Sequence, residues 1–274
     1  MDFPIFDSHV HMDSRSANDY ELMALTGVER LLIPCTFTGE RRRTASDYLR
    51  YFERLLGFER QRAAAFGIKA SFALGINTGD VADWTCVDEA VDAMGALLHQ
   101  EQVVAIGELG FKDFVADEVA LFHAQLKLAK RHRLPVIVEA PWRHGREALE
   151  RTAQIIADAI EAEAFESSRL ALMDVHVEQL PVVWSLDLGG YGIPVAPRHD
   201  LPFALHRKAG PKEVQQAVAQ YGDTRLLINS ALHFGVGDPM GIARTLLALR
   251  MAGLPRDTLK RIAYDNAVSL FGSA

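Results

Sequence analysis

The sequence predicts an α/β protein built as a single (β/α)8 TIM barrel spanning residues 1–274. Eight short β-rich apolar runs alternate with longer segments of helical period. The 274 residues match the roughly 250 that such a barrel needs. An open doubly wound sheet is the alternative, but no Gly-rich phosphate loop follows the first run, where that fold usually carries one.

The expected strands are residues 4–12, 30–36, 69–77, 103–109, 134–140, 170–177, 192–196 and 225–231. Between them, 44–66, 87–100, 117–132, 145–165, 179–187 and 212–221 repeat apolar residues at intervals of three and four, and 238–252 and 256–271 add two closing helices. Thr44-Ala45-Ser46-Asp47 supplies capping side chains, Gly67 a stop, and Pro211 a first-turn proline. Two crossings are less regular. The first has room only for a short helix near 18–25, and the seventh strand contains Pro194, with Pro197 just beyond it. No linker, repeat or low-complexity tract divides the chain.

With 49% hydrophobic and 24% charged residues, the composition is that of an ordinary globular protein. There is no basic segment followed by an apolar run, and nothing near the roughly 18 apolar residues of a membrane span, so the expected location is cytoplasmic with no membrane partner. Cys35 and Cys86 lack metal-like spacing and are expected to be apolar fillers. A net charge of −7 argues against a surface that attracts nucleic acid everywhere, while leaving room for a local basic site.

Active sites of such barrels lie at the C-terminal ends of the strands, and ionisable residues gather at those positions here. The first strand carries FDSHVHMD, in which period-two alternation puts His9 and His11 on one face, at a spacing that can hold one divalent ion. Glu108 ends the fourth strand between two glycines, and Glu139 ends the fifth. Asp174 and His176 share a face at the end of the sixth, and Asn229, His233 and Asp238 follow the eighth. A carboxylate in an apolar strand covered on both sides is hard to explain as surface. His9, His11, Glu108, Glu139 and His176 together form a mixed nitrogen and oxygen ligand set suited to zinc, manganese or iron. Such an ion would lower the pKa of a bound water. Asp238 and His233 are the candidate proton acceptors, Asp238 reading equally well as a helix cap.

The segments FDSHVHMD, IGELGF (106–111), QLKLAKRHRLPVIV (125–138) and IAYDNAVSLFG (262–272) give the chain a resemblance, nearly end to end, to the TatD-related metal-dependent hydrolases of the amidohydrolase superfamily. The resemblance implies a (β/α)8 barrel and one or two divalent ions (zinc, manganese or magnesium) at His9 and His11, with Glu108 shared between them. Three departures stand out. Glu139 replaces a histidine usual at the fifth strand, Asp174-Val175-His176 stands where relatives read Asp-His-Asn, and His233 stands where one branch reads Asp in Asp-Trp-Gly.

Basic residues line the expected catalytic loops: Arg41, Arg42 and Arg43; Arg143, His144 and Arg146; and Arg198, His206, Arg207 and Lys208. Of these, Arg41, Arg143, His144 and Arg198 are the leading substrate-binding candidates. Guanidinium groups suit phosphate, so a small anionic or phosphate-containing substrate is expected, DNA ends among the candidates. The expected activity is metal-dependent hydrolysis of a phosphodiester or related ester. The alternatives are a hydrolase of a small-metabolite ester, amide or lactone, and a catalytically altered metabolite-binding relative.

Overall fold

The computed structural model describes residues 2–141, 145–197 and 207–272. Its eight strands are parallel and lie in chain order. They are β1 (Ile5–Asp7), β2 (Val28–Pro34), β3 (Lys69–Leu74), β4 (Val103–Leu109), β5 (Val136–Glu139), β6 (Leu170–Met173), β7 (Gly190–Pro194) and β8 (Leu226–Asn229). The predicted crossings are present as α1 (Ala17–Leu25), α2 (Ala45–Arg54), α3 (Arg60–Ala64), α4 (Val87–Gly95), α5 (Ala116–His132), α6 (Gly145–Glu163), α7 (Leu180–Val183) and α8 (Pro211–Tyr221). The closing helices are α9 (Gly241–Met251), α10 (Arg256–Lys260) and α11 (Asn266–Phe271).

The ring is nearly closed, and β8 meets β1 just above the strand ends. Ala231 N–H donates to the His9 carbonyl at 3.1 Å, His11 N–H donates to the Leu232 carbonyl at 2.8 Å, and Ser230 N–H donates to the Asp7 carboxylate at 3.0 Å. Phe6, Leu32, Ala73, Ala105, Ile137, Ala171, Met173 and Leu227 form one apolar cluster contributed by seven strands, and Ala267 and Phe271 of α11 join it. A larger cluster packs strands against helices. Filling both sides of each strand in this way makes the runs nearly continuous in apolar character.

The capping residues act as expected. Thr44 accepts from Asp47 N–H at 3.2 Å, Asp47 accepts from Thr44 N–H at 2.9 Å, and Pro211 opens α8. Gly67 takes φ +72°, the left-handed conformation that ends the helix before it. The predicted helix over 44–66 is interrupted by a π turn at Leu55–Glu59, which carries the buried Glu59 inward to Arg62 (2.7 Å) and the Tyr20 hydroxyl (3.3 Å). Pro194 is tolerated because it closes β7. The next donor, Val195 N–H, reaches the Asn229 carbonyl at 2.9 Å, so no interior ladder bond is lost.

Two sequence motifs acquire structural reasons. In IGELGF, a Cβ on Gly107 would lie 2.8 Å from Ile137, and one on Gly75 would lie 2.8 Å from the Gly107 backbone, so neither position has room for a side chain. In QLKLAK, Gln125 is buried and its amide grips one residue from both sides, accepting from Ile76 N–H at 2.8 Å and donating to the Ile76 carbonyl at 3.1 Å. It thereby satisfies the backbone where β3 has ended.

Candidate metal centre

Three of the predicted ligands meet. The Glu108 Oε2 atom lies 2.9 Å from His9 Nε2 and 3.2 Å from His11 Nε2, and all three side chains are buried at the barrel mouth. β1 ends at Asp7, earlier than the sequence suggests, so His9 and His11 belong to the segment that zips onto residues 231–232. Their rings still converge, with centroids 5.0 Å apart. The pairing of β4 with β5 shifts register between Ile106 and Leu109, at the residues that include Glu108.

The fourth member is a residue the sequence reading did not favour. Asp174 Oδ1 stands 3.4 Å from His9 Nδ1. A carboxylate on that ring nitrogen orients the imidazole and leaves Nε2 to face Glu108, the arrangement that supports a ligating histidine. His176, the predicted ligand, is not among the three side chains that converge; it caps a short 3₁₀ turn at Val177–Gln179, where its backbone N–H donates to Gln179 Oε1 at 2.8 Å. The physical reason is that β6 stops at Met173 and Asp174 takes φ +59°, after which strand alternation no longer says which way a side chain points. A usable signal was present, since Asp174 is the first polar residue after the apolar run 170–173.

Electrostatics bind the cluster together. Burial pulls the His9 imidazolium down, but Asp174 and Glu108 outweigh it and leave its pKa well above the ordinary histidine value. Burial pushes Glu108 up, but His9 and His11 outweigh it and hold the carboxyl well below the ordinary range. Glu139, partly accessible at the end of β5, is driven well above that range by burial and then by the adjacent Glu108 and Asp174. The crowding of Glu139 against Glu108 and Asp174 is the unfavourable part of the assembly, and a divalent cation relieves it. The donor set fits such an ion: His9, His11 and Glu108 each offer one ligand atom within 4.8 Å of the others. Glu139 lies close enough to contribute charge.

The remaining predicted residues separate. His233 is brought to the edge of the cluster, its ring centroid 4.8 Å from that of His11 and its Nε2 3.1 Å from Thr36 Oγ1. Arg15 fixes the loop beneath it by donating to the carbonyls of His233 (3.0 Å) and Gly235 (2.9 Å). Asp238 is engaged elsewhere. It accepts from Met240 N–H at 3.0 Å in the turn ahead of α9 and pairs with Arg244 at 2.7 Å, while Met240 itself is the N-cap residue and α9 has no side-chain cap. Asp238→Asn keeps the acceptor for Met240 N–H and loses only the charge facing the half-exposed Arg244, so it is expected to leave metal content intact and cost less than about 1 kcal/mol of stability, read by metal analysis and urea unfolding.

Among the substrate-binding candidates, Arg41 is exposed, while Arg143, His144 and Arg198 lie outside the described residues, as does His206. Arg42 is buried and committed. It pairs with Asp80 at 2.5 Å, lies 3.9 Å from the Tyr51 ring, and through a bridge between residues 42 and 81 ties the loop after β2 to the loop after β3. Arg146 pairs with Glu150 and Arg207 with Glu178 and Glu213 on the surface. Cys35 and Cys86 are buried free thiols, as expected for fillers. Among the described residues, no helix is long and apolar enough to cross a membrane.

A barrel with a His-x-His and glutamate cluster at its mouth defines a metal-dependent hydrolase fold and site. The family model of the TatD-related DNases matches residues 6–171, and the chain belongs to that family. It is 26% identical over 269 residues to an uncharacterised metal-dependent hydrolase of Methanocaldococcus jannaschii, covering 97% of this chain and 99% of that one. The fold is shared with the crystal structure of a TatD-like protein from Archaeoglobus fulgidus (TM-score 0.75, 22% identity, 97% and 99% of the two chains). It is shared also with the phosphotriesterase homology protein of Escherichia coli, solved with phosphate in its active site (TM-score 0.71, 12% identity, 98% and 99%).

Proposed function

We propose that this protein is a divalent-metal-dependent phosphoesterase that hydrolyses a phosphodiester or related ester. The observation that carries the reading is the convergence of His9, His11 and Glu108 on one point at the mouth of a TatD-family barrel. When bound, the ion supplies a Lewis acid and brings the pKa of a water at the site towards neutrality. His9 and His11 present their Nε2 atoms, Asp174 orients His9, and Glu108 completes the ligand set with Glu139 beside it. His233 takes the proton lost by the attacking water. Its ring is held at the edge of the cluster by the hydroxyl of Thr36 and by the loop that Arg15 fixes. Arg41, with Arg143, His144 and Arg198, serves the anionic part of the substrate.

The name of the matching family and the phosphate in a structural relative support phosphoester chemistry. Of the basic loop residues described, Arg42 is buried against Asp80 and is not offered to a phosphate backbone. The purified protein should be tested with manganese or zinc on bis(p-nitrophenyl) phosphate, p-nitrophenyl acetate and DNA with free ends. The expected result is phosphodiester turnover that a chelator abolishes. Turnover of the carboxylic ester with none of the phosphodiester would replace this reading with that of a small-metabolite esterase or lactonase.

A further inference from the structure

Lys208 is buried, although an ammonium withdrawn from water loses several kcal/mol of hydration unless something replaces it. Its backbone is held firmly. The following residue, Ala209, donates to the Pro194 carbonyl at 2.7 Å and accepts from Ala196 N–H at 3.2 Å, forming a short bridge onto the continuation of β7. From there the Nζ atom reaches across to β8 and donates to the Ala231 carbonyl at 2.8 Å. Ala231 is bonded through its own N–H to the carbonyl of His9, so the ammonium is joined through one residue to the segment that carries the metal ligands. Among the described residues, its electrostatic partners include Asp174, the carboxylate behind His9, and Asp7.

A second residue on the same wall is unusual in a different way. Asn229, the last residue of β8 and the register partner of Pro194, is fully buried, yet neither its amide nitrogen nor its oxygen has a hydrogen-bond partner. Leu227, two residues earlier on the strand, belongs to the apolar cluster shared by seven strands, so strand alternation turns Asn229 to the same side of the sheet as that cluster. Buried amides without partners are rare, and at a barrel mouth such a group is explained by a polar ligand.

We propose that Lys208 and Asn229 form the subsite that holds a non-bridging phosphoryl oxygen of the substrate, on the β7–β8 side of the metal cluster. This rests on the phosphoesterase reading and specifies which residues recognise the anion. An ammonium has three N–H donors fanned about one nitrogen, so it can keep a backbone carbonyl and hold an anion at the same time. The Asn229 carboxamide, on the neighbouring strand β8, has an NH2 group able to donate to an oxygen acceptor. Burial pulls the Lys208 pKa down to about 8, so the amine remains mainly charged at neutral pH and is depleted above that. Arg41 and the loop residues named with it then meet the outer part of the substrate, while a lysine fixed by the sheet meets the phosphoryl oxygen beside the metal cluster.

The test uses inorganic phosphate as the probe on the metal-loaded full-length protein, by calorimetry, with metal stoichiometry measured on each sample. Lys208→Met and Asn229→Ala are each expected to weaken phosphate binding by about ten- to a hundredfold with metal content unchanged. Lys208→Arg keeps the charge and is expected to fall between Lys208→Met and wild type, and Arg207→Gln, on the surface, is expected to match wild type. If Lys208→Met does not fold, Asn229→Ala and Lys208→Arg decide the matter. Unchanged phosphate affinity in the variants, no phosphate binding by the metal-loaded wild type, or metal lost in parallel with phosphate would each overturn the proposal. Failure of the phosphoesterase reading would look different: phosphate binding that depends on Lys208 in a protein that turns over no phosphoester.

Discussion

Replacing Glu108 with alanine is expected to empty the metal centre and abolish turnover. The Glu108 carboxylate is the only group within reach of both Nε2 atoms among the described residues that converge there, at 2.9 and 3.2 Å. Without it, two buried imidazoles face each other with no anion between them. The loss should exceed the roughly 10–100-fold seen when a partner behind a ligand is removed, because a ligand itself is gone. Asp174→Asn provides that lesser case, since it leaves the three donor atoms in place and removes only the charge behind His9 Nδ1. The check is elemental analysis of bound metal in wild type, Glu108→Ala and Asp174→Asn after incubation with zinc and with manganese. A full complement of metal in Glu108→Ala would refute the assignment of the centre.

Arg42→Ala is expected to destabilise the protein by about 3–5 kcal/mol at pH 8, the cost of leaving one member of a buried ion pair alone. Asp80 is 1% exposed, and among the described residues Arg42 is the cation paired with it, while also stacking on Tyr51. The deficit should depend on pH. Burial raises Asp80 to about 6 even with Arg42 pulling it down, so removing Arg42 moves it higher still. A carboxyl whose folded pKa exceeds its unfolded value adds proton-linked stability that is complete below the unfolded pKa, about 3.8, and lost as pH rises through the folded one. Arg42→Ala should therefore approach wild type on acidification from pH 8 to pH 5, and the Arg42→Ala/Asp80→Asn double variant should recover much of the loss at pH 8. Urea unfolding of the three variants at both pH values gives the answer. A deficit of equal size at each pH, unrelieved by Asp80→Asn, would mean that stacking on Tyr51 rather than the buried charge holds the two loops together.

These two residues also show where reading a sequence works and where it stops. Glu108 was legible because its setting is local: two flanking glycines and an apolar strand leave a carboxylate with no surface to occupy. His9 and His11 were legible for the same reason, since a spacing of two survives the early end of β1. Arg42 was read as one of three arginines lining the loop after the second strand, and nothing nearby in the chain indicates that Asp80, on another loop, will claim it. His176 and Asp174 exchanged importance because one residue with positive φ ended the alternation on which the choice between them rested. The ion pair of Asp238 with Arg244, a turn into α9, came into view only in the structure.

What the sequence by itself determined is the order and kind of the elements and the side chains each strand would deliver to its C-terminal end. Periodicity and apolar runs depend on neighbours along the chain, and a barrel built from consecutive strands keeps those neighbours together. The tertiary structure alone decided which charges pair. Asp174 behind His9, Asp80 beneath Arg42, and Lys208 reaching from the loop after β7 to Ala231 all join residues far apart in the chain. Burial at the barrel mouth strengthens the attraction within each pairing and makes any member left alone costly, so the partners are fixed together.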